Sequence, residues 1–213
     1  LFRESFDRPF CWSLMCCPIL GTAISFFYLS WNMQLALLIP GGIALGYVLP
    51  FLGNQKRLRD INHVKIFLVA IVWAWVSVLL PALQEQISLD GLLALMIAER
   101  ALFIFAITLP FDIRDLQVDQ HSQVSTLPAQ LGVTRSKLLA NLLLLLCGLL
   151  ATVLYLLDYY SFSVLVGLLL AYLSTALLLY FSHPKKHDYF YSGLMDGTMI
   201  LQFVLVWICS NLL

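Results

Sequence analysis

Charge is what this chain has least of. Only 11% of its 213 residues are Asp, Glu, Lys or Arg, against about a quarter in a soluble globular domain. That scarcity excludes a water-facing surface of ordinary size. The five cysteines, Cys11, Cys16, Cys17, Cys147 and Cys209, lie in or beside apolar runs without metal-ligand spacing. They read as small apolar residues, which excludes a zinc site and a disulfide framework. Formal net charge is zero, so bulk charge points to no partner, and no nucleic acid is expected. Low-complexity segments, internal repeats, a soluble domain and a signal peptide are all missing. The chain begins at Leu1 rather than Met, which reads as a start inside a longer protein.

Apolar residues are what remains: 61% of the chain is hydrophobic and the mean hydropathy is +0.90. A membrane-spanning helix needs about 20 mostly apolar residues. Seven stretches qualify, at roughly 11–31, 34–52, 65–83, 91–110, 138–157, 162–181 and 194–213. The expected fold is an all-α, polytopic transmembrane helix bundle forming a single domain over residues 1–213. With seven crossings, the N-terminal segment and the second, fourth and sixth connectors share one side. That side holds Arg3, Arg8, Lys56, Arg57, Arg59, Lys65, Arg114, Arg135, Lys137, Lys185 and Lys186. The opposite side has no Lys or Arg and carries Glu85, Asp90 and Asp158. Such an asymmetry places the basic side in the cytoplasm.

The densest charge cluster, residues 111–119, follows directly on the apolar run ending at Pro110. Within it Asp112, Asp115 and Asp119 fall at i, i+3 and i+7. On a helix that spacing puts all three carboxylates on one face. Their mutual repulsion is relieved by a shared cation, and hard divalent ions such as Mg2+ take oxygen ligands. Glu99 and Arg100 sit mid-span, where a charge costs roughly 2.5–3.5 kcal/mol on insertion scales. Being adjacent, they point about 100° apart on a helix, so each requires a partner on another helix. They either make structural contacts or line a polar cavity below the aspartates. Asp196 reads first as an interfacial helix-start residue and second as a cavity residue. The basic connector around Lys56 and Arg57 reads as a topology determinant touching anionic headgroups, and Tyr47 as an interfacial belt residue.

Asp112-Ile113-Arg114-Asp115-Leu116-Gln117-Val118-Asp119, with Ser125-Thr126-Leu127-Pro128 and Leu131-Gly132 behind it, resembles the second aspartate-rich motif of the UbiA superfamily of intramembrane prenyltransferases. Upstream, Tyr47-Val48-Leu49-Pro50, Lys56-Arg57, Lys65 and Ile71-Val72-Trp73-Ala74 are similar to that family's basic connector and the tryptophan-bearing helix after it. The resemblance covers most of the chain, as helices three to nine of a nine-helix bundle, with the first two helices missing. It implies an enzyme that moves an isoprenyl group from an isoprenyl diphosphate to a lipophilic, often aromatic, acceptor in the membrane. It implies Mg2+ held by Asp112, Asp115 and Asp119 as the catalytic set. Tyr47, Lys56, Arg57, Lys65, Arg114, Glu99 and Arg100 are the implied substrate-binding residues. The chain departs from the family where no counterpart of the first aspartate motif is found; Leu1 to Phe10 hold only Glu4 and Asp7. Gln117, Gln120 and Ser125 replace charged residues common in the second motif, and Asp60 interrupts the basic connector. These departures keep open a second reading, a catalytically impaired membrane protein that binds a lipid or a partner.

Overall fold

Hydrocarbon offers a backbone no water, so each apolar run closes its N–H and C=O groups within a helix. The computed structural model describes residues 18, 20–50, 57–58, 61, 64–116, 126–184 and 186–213. Among them, six helices are long and apolar enough to cross a membrane. They are α1 (Trp31–Val48), α2 (Val64–Gln84), α3 (Gly91–Arg114), α5 (Val133–Leu156), α6 (Phe162–Phe181) and α7 (Phe190–Leu212). A short helix, α4 (Leu127–Leu131), precedes α5. Residues 20–28 are also helical; residues 11–17 and 19 of the first expected span, and the candidate residues Lys56 and Asp119, lie outside the described residues.

The helix ends follow local chemistry. Asp90 caps α3, its carboxylate accepting from the Leu93 N–H at 2.9 Å, and Ser161 does the same for α6. Inside α2 the turn Trp75–Leu79 is π-helical. Pro81 follows it; proline brings no N–H and clashes with the carbonyl four residues back, and a wider turn accommodates both. A second π-helical turn, Phe190–Met195, opens α7. Gly132 joins α4 to α5 at φ 79 and ψ 163, a region open essentially to glycine alone. Gly132→Ala is expected to lower stability by about 1–3 kcal/mol, read as an earlier thermal transition of the detergent-solubilised protein.

In a bilayer, helices meet through small and polar side chains, because lipid is as apolar as leucine. α5 follows that rule: Ser136, Ala140, Cys147 and Ala151 are buried, whereas Leu138, Leu142, Leu145 and Leu149 are exposed. The helices pack in an arc. α1 lies on α2, α2 on α3, α3 on α5, α5 on α6 and α6 on α7. The Trp75 indole N–H ties α2 to α1 through the Ala36 carbonyl, 3.1 Å away. The arc leaves α2 and α7 facing each other across a groove floored by α3, whose shared lining comes from all three helices.

Candidate active site

α3 runs on to Arg114, four residues past the expected end of its span, and so carries the first acid of the cluster on its last turn. Asp112 is buried, 5% exposed. The Lys65 ammonium, from the first turn of α2, donates to its Oδ1 at 3.1 Å. Asp115 is the first residue beyond the helix. Arg114 grips it with two bonds, Nε to Oδ1 at 2.7 Å and Nη2 to Oδ2 at 3.1 Å, the planar fork geometry that guanidinium offers a carboxylate. The same guanidinium lies over the Phe111 ring at 5.4 Å and the Tyr191 ring at 5.6 Å, and reaches the exposed Asp188 at 3.9 Å.

These side chains open onto one cavity of about 250 Å³, lined by Lys65, Thr108, Asp112, Arg114, Asp115 and Asp196 among others. Tyr47, at the end of α1, comes close enough to Lys65 to interact electrostatically with it. Arg57 is half-buried and is not among the residues lining this cavity. Asp196, read first from the sequence as a helix-start residue, takes a place in the cavity wall. The π-helical turn just before it moves the helix register by a fraction of a turn, and periodicity alone does not announce that.

Glu99 and Arg100 part company, as adjacent helical residues must. Glu99 is buried, 1% exposed. It accepts a hydrogen bond from the Tyr172 hydroxyl of α6, while its backbone carbonyl accepts from the Cys147 thiol of α5 at 3.4 Å. Glu99 is therefore a packed interhelical contact. Arg100 turns the other way, donates to Gln202 of α7, and lines a second cavity of about 370 Å³ with Trp73, Ser77, Tyr160 and Gln202. Burial, and next the nearby Glu99, push the Tyr160 phenol above its ordinary pKa, so it stays neutral. Tyr172 and Gln202 went unassigned in the sequence; a lone amide within an apolar run was the available signal for Gln202.

A family model, the UbiA prenyltransferase family, matches residues 10–200. The chain belongs to the UbiA prenyltransferase family. No match was found among curated proteins or among solved structures. Family membership and six apolar helices make it an integral membrane protein, and the all-helical architecture agrees with the polytopic fold expected of a UbiA prenyltransferase. UbiA prenyltransferases use Mg2+ through aspartate motifs, and the donor set here fits that ion. Asp112 and Asp115 face one cavity and present oxygen only, the ligand type that Mg2+ takes. Among the described residues no three His, Cys, Asp or Glu side chains gather closely enough to hold a metal. Asp119, the third acid of the motif, is outside them.

Proposed function

We propose that the chain transfers an isoprenyl group from an isoprenyl diphosphate to a lipophilic, often aromatic, acceptor dissolved in the membrane. One observation carries this reading. The cavity holding Asp112, Asp115, Lys65 and Arg114 continues, through the shared walls Val69, Thr108 and Asp196, into an apolar cavity of about 750 Å³. A charged head compartment joined to a greasy one matches a molecule with a diphosphate at one end and hydrocarbon at the other. The excess of Lys and Arg at this end of the helices supports a cytoplasmic orientation for it.

In this mechanism Lys65 and Arg114 give up part of their contact with Asp112 and Asp115 to bind phosphate oxygens. Both are already aimed into the cavity, so little side-chain entropy is lost on binding. The bond between the first isoprenyl carbon and the bridging oxygen breaks, and its electron pair leaves with pyrophosphate. Asp112 and Asp115, with Asp119 beyond the described residues, would hold Mg2+, which would neutralise the leaving group's charge. The allylic cation is shielded from water by Val69, Phe111 and Ile66, which also line the cavities. An electron-rich acceptor carbon then bonds to the cation and loses its proton to the released pyrophosphate. Tyr47, at the end of α1, acts on the diphosphate through its neighbour Lys65, while Arg57, away from the cavity lining, and Lys56, beyond the described residues, keep the role of basic residues at the membrane surface. Glu99 acts from the core, fixing α3 against α6.

The pairing of both acids with cations favours one competing reading, a lipid-binding module without turnover. The two differ in a single assay. Membranes containing the full-length protein are expected to release pyrophosphate from an allylic isoprenyl diphosphate in the presence of acceptor and Mg2+. Chelation by EDTA should lower that release by about 100-fold or more. Release that is missing with Mg2+ present, or indifferent to EDTA, contradicts the proposal.

A further inference from the structure

We infer that the groove between α5 and α6 binds an anionic phospholipid, with the lipid phosphate on Lys137 and one acyl chain along the groove. None of the residues lining this groove lines a cavity of the candidate active site, so the inference is independent of the prenyl-transfer reading.

The groove is made by small side chains. Gly148 and Thr152 of α5 and Ala176 of α6 leave about 400 Å³ between ridges formed by the exposed Leu145, Leu149 and Leu173. Its polar groups are already satisfied on their own helix. Thr152 Oγ1 donates to the Gly148 carbonyl at 2.8 Å, and the Asn141 amide donates to the Lys137 carbonyl at 2.9 Å. What the groove offers a neighbour is therefore mainly a hydrocarbon surface. Asn141 and Thr152, at its two ends, are eleven residues apart on α5, about 16 Å at about 1.5 Å per residue. One leaflet's share of a hydrocarbon core about 30 Å thick is about 15 Å. The groove thus matches an acyl chain running from the membrane surface to the midplane.

Charge selects which lipid. Lys137 lies one turn above Asn141 on the same face of α5. Its ammonium crosses to α6 and donates to the Tyr180 carbonyl at 3.0 Å, one of the last-turn carbonyls that a helix leaves unpaired. That bridge closes the upper end of the groove with a positive charge. An ammonium has three donors, and among the described residues no carboxylate lies within ion-pair distance of this one. A phosphate at the membrane surface takes the remaining donors in charge-assisted bonds. In phosphatidylcholine the headgroup's own cation competes for that phosphate. In phosphatidylglycerol nothing does, so the anionic lipid is favoured.

The test is native mass spectrometry of the purified full-length protein, released from micelles holding equal amounts of dioleoyl-phosphatidylglycerol and dioleoyl-phosphatidylcholine. The first lipid retained is expected to be phosphatidylglycerol, about tenfold over phosphatidylcholine. Lys137→Gln should bring that ratio to within about twofold, and Lys137→Arg should restore it. Arg135→Gln removes the same charge two residues away, about 200° around α5, and should leave the ratio unchanged. Ala176→Phe fills the groove and should lower phosphatidylglycerol retention about tenfold, the loss of contact with about two methylenes. Equal retention of the two lipids by the parent, retention of neither, or a preference that survives Lys137→Gln overturns the inference. So does a loss in Arg135→Gln as large as in Lys137→Gln, which would mean attraction to surface charge in general. None of these results bears on pyrophosphate release.

Discussion

Asp115→Ala is expected to lower pyrophosphate release by about 100-fold or more, the scale set when one preorganised electrostatic contact to a developing charge is lost. The substitution removes a carboxylate on the wall of the charged cavity and frees Arg114 from its two-bond grip. Asp112→Asn should do as much for a different reason. It keeps the shape of a buried side chain, yet takes away the charge opposite Lys65 and an oxygen ligand. Asp188→Asn is the contrast. Its side chain is 81% exposed and 3.9 Å from Arg114, and exposed ion pairs contribute little. Release should stay within about twofold of the parent for that variant. A loss at Asp188 as large as at Asp115 would mean that the readout reports net charge at the membrane surface rather than the cavity.

Gly167→Val is expected to destabilise the bundle by about 3 kcal/mol and to prevent accumulation of monodisperse protein in detergent. A Cβ built at Gly167 stands 2.6 Å from Val206 Cα and 2.9 Å from Val206 N. Those are backbone atoms, so no side-chain rotation relieves the contact. α6 and α7 must separate, and α7 carries Asp196 and Gln202, which line the charged cavity and the cavity beside Arg100. Gly148→Ala is the control, since its nearest neighbour there is a Leu169 methyl at 3.4 Å. Normal accumulation of Gly167→Val with an unchanged thermal transition would contradict the packing of α6 on α7.

Much of this was legible in the residues. The apolar runs gave the helices to within a few residues, because composition alone decides which segments enter lipid. The D-x2-D-x3-D spacing marked the end of α3, where the charged cavity lies. The adjacency of Glu99 and Arg100 required two partners on two helices, and Tyr172 of α6 and Gln202 of α7 supply them. What stayed hidden is which face of each helix turns inward. In a soluble helix the apolar stripe answers that question; on α5 both the buried Leu144 and the exposed Leu142 are leucine. The π-helical turns before Pro81 and Asp196 shift register without changing composition. The close approach at Gly167 depends on a neighbour 39 positions away, Val206. Continuity of the charged cavity with the apolar one likewise exists only once α2, α3 and α7 are assembled.

The most direct measurement is equilibrium binding of a non-hydrolysable isoprenyl diphosphate analogue to the purified full-length protein, titrated with and without Mg2+ and repeated on Asp115→Ala. Binding should tighten at least about tenfold with Mg2+, and that gain should vanish in the variant. Affinity that ignores Mg2+, or a Mg2+ effect that survives the loss of Asp115, would contradict the assignment of these acids to a metal-chelated diphosphate.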